Sequence, residues 1–168
     1  MPFSLKQGKD LIKNWFGKQT DIKTIVDLGA GSGTYPKLLG KKYIWKAVEI
    51  WGPYIEIFNL KELYQEIRIG DIRYMELPNG DCCIAADVLE HLEKKDAIEV
   101  IKKVDEQFKH AVFLIPIGNV GHTEEDFNWK GNSFERHISI WSFEELEKII
   151  PSTYKIRKFI KPNAVFMK

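Results

Sequence analysis

The stretch TIVDLGAGSGTYPKLL, residues 24–39, constrains the fold of this chain more than any other. Three glycines, Gly29, Gly31 and Gly33, occupy alternating positions between an apolar run and a helix-like pattern. Glycine reaches backbone angles that other residues avoid and leaves open space above the main chain. One or two glycines suffice for a tight turn, so three indicate close approach of a ligand to the backbone. The stretch therefore predicts a ligand cradle at the carboxyl end of a strand, where open α/β sheets bind their ligands.

Strand-like and helix-like patterns alternate along the chain on both sides of these glycines. We predict a helix over residues 4–16 capped by Ser4, and further helices over residues 35–39, 53–63 and 89–108. Strands are predicted to end near residues 28, 50, 72, 86 and 117. Because strands alternate with helices through five units, the sheet is predicted to be parallel, with helices on both faces.

The C-terminal part of the chain predicts one more helix and a hairpin. Ser142 is expected to cap a helix over residues 143–150, with Glu145 at the capping-box position. Two apolar runs, residues 154–160 and 164–168, flank a turn at Pro162 and Asn163 and predict a hairpin that inserts an antiparallel strand.

Composition favours one globular domain over residues 1–168, in which residues 1–17 form an N-terminal helix. The chain is 44% hydrophobic and 29% charged, and its net charge of +1 gives no global basic field for nucleic acid or an anionic membrane. The adjacent Cys82 and Cys83 point to opposite faces of a strand, so we expect buried, reduced thiols in a cytoplasmic protein. Neither a secretory signal nor a membrane span is expected.

The spacing of the glycines argues against two common phosphate cradles. The dinucleotide fingerprint G-x-G-x-x-G would need glycine at position 34 or 36, where the chain has Thr34 and Pro36. The Gly-Lys-Ser/Thr of a phosphate-binding loop is also absent from the stretch. A nicotinamide dehydrogenase is therefore a weaker alternative.

The stretch DLGAGSG instead resembles the first motif of class I S-adenosyl-L-methionine-dependent methyltransferases, acidic-x-G-x-G-x-G, in which Asp27 supplies the acid. The resemblance extends from residue 25 to the final hairpin. It implies an α/β fold: a Rossmann-like, doubly wound sheet of about seven strands, mostly parallel with an antiparallel last strand, in the order 3-2-1-4-5-7-6. It also implies S-adenosyl-L-methionine as the cofactor.

The resemblance assigns cofactor-binding roles to the residues at the strand ends. Glu49 follows Gly29 by 20 residues and would bind both ribose hydroxyls. Asp71 would accept the adenine amine, with Ile72 as its apolar cover. Trp51 would stack on the adenine or fill the core. The full implied set is Asp27, Gly29, Ala30, Gly31, Gly33, Glu49, Ile50, Trp51, Asp71, Ile72, Asp87 and Val88.

The stretch ADVLEHL resembles the family's fourth strand and the helix start that follows it. Asp87 would lie nearest the methionine end of the cofactor and face either its amino group or the acceptor, so it is a catalytic candidate. Glu90 and His91 belong to the LEHL-like helix start, or simply open the helix. No metal site is predicted.

Residues 118–140, the acceptor-side segment, lose all regular patterning and are expected to cover the acceptor. The segment carries the polar residues His122, Asn132, Glu135, Arg136 and His137 and the aromatic residues Phe127, Trp129 and Phe134. Part of it resembles a stretch found in small-molecule-directed and sugar-directed members of the family. His137 is the favoured catalytic base or orienting group, and a purely structural histidine is the alternative.

The reaction implied by the resemblance is in-line transfer of the sulfonium methyl group to an oxygen or nitrogen acceptor. The Pro pair of nucleic-acid N-methylating members and the Cys-Pro pair of cytosine C5 enzymes are both missing, so a small-molecule or glycan acceptor is favoured over nucleic acid. We expect a monomer or homodimer. The alternative function is a methyltransferase-like module that binds cofactor or a partner without turnover.

Overall fold

The sheet of the computed structural model, which describes residues 6–120 and 131–168, contains seven strands in the order β3-β2-β1-β4-β5-β7-β6. The predictions for Ser4, His122, Phe127 and Trp129 lie outside the described residues. The strands are β1 Thr24–Leu28, β2 Ile44–Glu49, β3 Glu66–Ile69, β4 Cys82–Ala86, β5 His110–Pro116, β6 Ile156–Ile160 and β7 Asn163–Met167.

Strand pairing confirms the predicted topology. β1 pairs in parallel with β2 and β4, β2 with β3, and β4 with β5. β7 inserts between β5 and β6 and pairs antiparallel with both. The parallel strands therefore all end at one edge of the sheet, where the glycine loop (residues 29–33) begins. In the final hairpin Asn163 belongs to β7 and pairs with Ile160, so the turn is shorter than predicted.

The α-helices are α1 Lys9–Phe16, α2 Thr34–Leu39, α3 Tyr54–Ile57, α4 Lys94–Gln107 and α5 Phe143–Ile149. Short 3-10 helices occupy Leu60–Glu62, Leu89–His91 and Ser133–Glu135. The Ser142 cap is confirmed, because its hydroxyl accepts the N–H of Glu145 at 3.1 Å. No α-helix among the described residues has the length and apolarity to cross a membrane.

Two predicted helices are interrupted. The prediction of one helix over residues 53–63 was wrong, because Asn59 takes a left-handed conformation (φ 51°) between α3 and the 3-10 helix Leu60–Glu62. The prediction of one helix over residues 89–108 was also wrong. The carbonyl of Glu90 accepts the N–H groups of Ile138 and Ser139 instead of continuing the helix, and Leu92 is extended before α4 starts.

The sheet separates two apolar clusters, one on each face. Cys82 packs with α1 residues such as Phe16, and Cys83 packs on the opposite face with α4 residues such as Val104. Both thiols are fully buried and free, as predicted. Burial raises the pKa of each thiol well above its ordinary value, so both cysteines act as small core residues.

The start of β1 is fixed by a side chain from the loop before β4. Asp81 Oδ2 accepts the N–H groups of Lys23 at 2.9 Å and Thr24 at 2.8 Å. These two bonds lower the pKa of the Asp81 carboxyl. These bonds hold the start of β1, and the glycine loop begins at the other end of the same strand.

We expect Asp81→Asn to lower the free energy of unfolding by about 1 kcal/mol at about pH 7, because a carboxylate accepts N–H bonds more strongly than an amide does. Since the pKa is lowered in the folded chain, this contribution is present above the unfolded pKa of about 4. It is lost as the pH falls through the folded pKa. Urea unfolding of the wild type and of Asp81→Asn, at neutral pH and at about pH 2, measures the loss of free energy of unfolding at each pH.

Glu106→Gln is the matched control, because Glu106 is an exposed acid on α4. It should change the free energy of unfolding by less than about 0.5 kcal/mol. Equal losses in the two variants, or an Asp81→Asn loss that is the same at both pH values, would contradict the prediction.

Candidate active site

A cavity of about 280 Å³ lies at the carboxyl ends of the parallel strands. The turns after β1, β2, β3 and β4 line one side of it, and residues of the acceptor-side segment line the other. The predicted site residues that line it are Asp27, Gly29, Ala30, Gly31, Glu49, Ile50, Asp71, Ile72, Asp87 and Val88. Gly33, Trp51 and His137 are not among the lining residues.

The glycine loop has left-handed backbone at Gly29 (φ 71°), Gly31 (φ 49°) and Gly33 (φ 71°). A Cβ on Gly29 would lie 2.6 Å from Val88 Cγ2. One on Gly33 would lie 2.4 Å from Leu63 Cδ1. At these two positions the backbone lies close to other protein atoms, which leave no room for a side chain. Gly29 packs against the turn after β4, and Gly33 packs against the segment before β3.

Glu49, at the end of β2, connects the glycine loop to the next turn. Its buried carboxylate accepts the N–H of Gly31 through Oε2 and the N–H of Trp51 through Oε1, both at 2.9 Å. Burial raises the pKa of Glu49, and these N–H groups act in the opposite direction. Glu49 lines the cavity, and each carboxylate oxygen can accept more than one hydrogen bond, so the carboxylate can also accept hydroxyl groups there.

Asp27, the last acid of β1, lies beneath the loop. Its carboxylate is buried and accepts the hydroxyl of Tyr64 at 2.6 Å. Burial raises the pKa of Asp27 to about 7; the Tyr64 bond lowers it and the charge of Glu49 raises it. Asp27 and Glu49 are thus two buried acids that line the same cavity, and each would be stabilised in its ionised form by a cation there.

Asp71, after β3, is already paired. Its carboxylate accepts the Arg73 guanidinium, with Nη2 at 2.6 Å, and the Arg73 backbone N–H at 3.0 Å. The Arg73 side-chain bond holds the pKa of Asp71 below its ordinary value. Arg73 also reaches Asp96 at 3.2 Å. Asp71 is thus a fixed, charged acceptor at the cavity wall.

Asp87, after β4, has a left-handed backbone (φ 53°), which is uncommon for a residue other than glycine. Its N–H donates to the Leu114 carbonyl at 2.9 Å, so β5 holds this conformation in place. Burial lowers the pKa of Lys9 on α1, while the charge of Asp87 opposes that shift. Lys9 is therefore near enough to Asp87 for the charge of Asp87 to act on it, and no short-range pattern in the sequence predicts that proximity.

The acceptor-side segment is tied to the cavity by a buried polar cluster. Glu135 Oε1 accepts the Tyr54 hydroxyl at 2.5 Å and the Asn132 side-chain amide at 3.3 Å. Asn132 Oδ1 accepts the N–H of Phe134 at 3.0 Å and caps the 3-10 helix that contains Glu135. Sequence reasoning did not identify Tyr54 as a site residue. The one local signal for this cluster was Asn132, a residue type that commonly caps helices. The cluster joins α3 to the opposite wall.

Glu90, His91 and His137 form a second cluster at the edge of the cavity. Nε2 of each histidine lies 4.0 Å from Glu90 Oε1, and the imidazole rings are edge to face with centroids 4.8 Å apart. His91 lines the cavity, and its Nδ1 lies 3.1 Å from the Arg136 carbonyl. Burial lowers the pKa of His91. The pKa of Glu90 is raised, mainly by burial and secondarily by the charge of Asp87.

The Trp51 ring packs edge to face on Tyr54, with centroids 4.6 Å apart. Its backbone N–H supports Glu49, but its stacking on a ligand stays a prediction. His137 approaches the cavity through His91 and not directly. The site therefore has one wall of acids and backbone N–H groups at the strand ends, the His91 imidazole at its edge, and a second wall formed by residues 132–138.

No protein-family model and no curated protein matches the sequence. Solved structures do match. Magnesium protoporphyrin IX methyltransferase (ChlM) from Synechocystis PCC 6803, with bound SAH, is 13% identical with a TM-score of 0.69, over 95% of this chain and 80% of that one. The N-terminal domain of EvdMO1 with SAH bound is 12% identical with a TM-score of 0.66, over 98% and 80%.

A putative O-methyltransferase from Nostoc punctiforme PCC 73102 is 13% identical with a TM-score of 0.66, over 95% of this chain but 54% of that one. The chain therefore spans about four fifths of the first two structures and about half of the third. These likenesses confirm the predicted architecture of the sheet and helices.

We expect Gly29→Ala to lower the free energy of unfolding by at least about 2 kcal/mol, because it adds left-handed strain and a clash with Val88. Adding Val88→Ala to the Gly29→Ala chain should remove the clash and so recover part of the lost free energy of unfolding. In a double-mutant cycle the coupling energy between the two substitutions should exceed about 0.5 kcal/mol. Denaturant unfolding of the four proteins measures it. Additive losses would show that the two residues do not press on each other.

Proposed function

We propose that this chain, which has the fold of the class I S-adenosyl-L-methionine-dependent methyltransferases, binds S-adenosyl-L-methionine and transfers its methyl group to an acceptor. The observation that carries the proposal is the buried Glu49 carboxylate, held between the N–H groups of Gly31 and Trp51 at the cavity wall. A carboxylate in this position is a double acceptor for the vicinal hydroxyls of a ribose.

The residues at the other strand ends fit the remaining parts of that cofactor. Asp71 accepts the adenine amine, and Ile72 covers the ring. Asp87 and Val88, after β4, face the methionine end, and Asp27 supports the glycine loop from below. The support for this assignment is that all five residues line one cavity, in the order that the resemblance implies.

The chemistry demands little of the protein beyond binding and alignment. The cofactor supplies a methyl group bonded to a positively charged sulfur. Holding a nucleophile in line with that bond accounts for much of the acceleration, and exclusion of water favours loss of the charge. The Tyr54–Glu135–Asn132 cluster supports this alignment, because it fixes the acceptor-side wall relative to the cofactor-side wall.

The acceptor is a small molecule or a glycan with an oxygen or nitrogen nucleophile. It enters between the turn after β4 and residues 132–138, and Asp87 and His137 are the catalytic candidates. His137 acts through the cluster that it forms with His91 and Glu90. The names of the similar structures support this acceptor class, one being a magnesium protoporphyrin IX methyltransferase and one a putative O-methyltransferase.

The proposal extends to the setting of the enzyme. A net charge of +1 supports an acceptor other than nucleic acid. The two free, buried cysteines support a cytoplasmic location, and a monomer or homodimer is the proposed state.

Glu49→Ala is expected to weaken the binding of S-adenosylhomocysteine at least about tenfold, because charge-assisted bonds worth about 1.5–3 kcal/mol are lost. Isothermal titration calorimetry with S-adenosylhomocysteine measures the dissociation constant. Glu106→Ala, an exposed acid on α4, should leave it unchanged. Equal affinity in the wild type and Glu49→Ala would remove the ribose assignment, and binding of NAD in place of S-adenosylhomocysteine would overturn the proposal.

Turnover is tested with S-adenosyl-L-methionine labelled in the methyl group and a pool of small hydroxylated and amino compounds. We expect label in a small product, and Asp87→Asn should reduce its formation at least about tenfold, since Asn keeps the left-handed backbone and removes the charge. Cofactor binding without any labelled product would instead identify a binding module.

A further inference from the structure

We propose that Glu90, His91 and His137 form a binding site for one divalent transition-metal cation at the edge of the cavity. The three residues come from two distant parts of the chain, the 3-10 helix after β4 and the acceptor-side segment. Each offers one ligand atom, and these atoms all lie within 4.8 Å of one another.

The distances suit a cation. Nε2 of His91 and Nε2 of His137 each lie 4.0 Å from Glu90 Oε1, which is too long for a hydrogen bond. Metal–nitrogen and metal–oxygen bonds of about 2.0–2.2 Å place ligand atoms about 3–4 Å apart around one ion. A cation can therefore enter this cluster with only small side-chain shifts.

Glu90 gives independent support, because its carboxyl group is buried without hydrogen bonds from the described part of the chain that would offset the lost hydration. The residue is 1% exposed, and neither carboxylate oxygen has a hydrogen-bond partner among the described residues. Buried carboxylates are normally paired, hydrogen-bonded or coordinated to metal. Here the groups that Glu90 faces across the cluster are imidazole nitrogens, which are metal ligands themselves.

The tautomer of His91 is compatible with a metal ligand. Its Nδ1 lies 3.1 Å from the Arg136 carbonyl. Since a carbonyl can only accept, Nδ1 carries the proton and Nε2 presents a lone pair toward Glu90. A backbone carbonyl that orients a ligating histidine in this way is the usual outer support of a metal site.

The ligand set selects the class of metal. Two imidazoles and one carboxylate suit manganese, iron, cobalt, nickel or zinc, whereas magnesium and calcium prefer ligand sets made of oxygen. Sequence reasoning predicted no metal site, because the spacing of 46 residues between His91 and His137 follows no metal-ligand pattern.

The position of the cluster suggests what the cation would do, and this step rests on the proposed function. His91 lines the cavity, and three protein ligands leave coordination positions open. An acceptor hydroxyl bound there would lose its proton to solvent at a lower pH. Its oxygen then bonds to the methyl carbon while the carbon–sulfur bond breaks, and sulfur keeps the electron pair. The acceptor class is therefore a compound with a hydroxyl group.

Titration of the metal-stripped full chain with Mn²⁺, followed by electron paramagnetic resonance, tests the site without cofactor. We expect one Mn²⁺ per chain. Glu90→Gln and His137→Asn should each weaken its binding at least about tenfold. His110→Asn is the matched control, because it removes a histidine at the start of β5, where the side chain contacts Asp21.

Thermal unfolding with and without Mn²⁺ is the second readout. Mn²⁺ should raise the unfolding temperature of the wild type and of His110→Asn, but not that of the two cluster variants. If Glu90→Gln does not fold, His137→Asn decides. Absence of stoichiometric Mn²⁺ binding, or equal affinity in the wild type and the cluster variants, would overturn the site. Neither result bears on S-adenosylhomocysteine binding, so the two proposals fail separately.

The open position is tested by the relaxation rate of water protons in the Mn²⁺-loaded protein. A site that takes an acceptor oxygen should hold exchangeable water on the ion and enhance this rate. A rate no higher than that of the metal-free protein would identify a closed structural site and overturn the role in acceptor binding.

Discussion

The geometry of the cavity depends on one buried carboxylate. Glu49 ends β2 and accepts one N–H from the glycine loop and one from the turn after its own strand. Since burial weakens the hydration of a charge, these N–H bonds are stronger there than at a surface. Val48, the residue before Glu49, accepts the N–H of Gly29 through its carbonyl at 2.8 Å. The end of β2 therefore shapes the loop after β1, and the three left-handed glycines allow the chain to follow it.

Much of the fold could be predicted because its determinants are local. The apolar runs of β1 and β4, the alternation of strands with helices and the Ser142 cap each lie within a short stretch. The break after Leu89–His91 could not be predicted. The carbonyl of Glu90 accepts the N–H groups of Ile138 and Ser139. No sequence pattern near Glu90 predicts hydrogen-bond partners that lie so far along the chain. Asn59 likewise interrupts a stretch whose apolar spacing suits a helix.

The same distinction applies to the candidate site. Acids at the ends of parallel strands are brought together by topology, so the position of Asp27, Glu49 and Asp71 at one cavity follows from the strand order, whereas their binding roles were inferred from the family resemblance. The contacts that form the opposite wall join residues distant in sequence, Tyr54 with Glu135 and His91 with His137. Sequence reasoning identified His137 and the segment around it, but not that its imidazole packs on His91 beside a buried Glu90.

The buried acids of the cavity favour cationic ligands. Asp27 and Glu49 both line the cavity, and burial is the main cause that raises both pKa values. A ligand with a positive charge nearby stabilises the ionised form of such acids, so its binding is favoured by groups that are costly in the empty cavity. In the proposed function, a sulfonium cofactor brings such a charge, and transfer of its methyl group removes it.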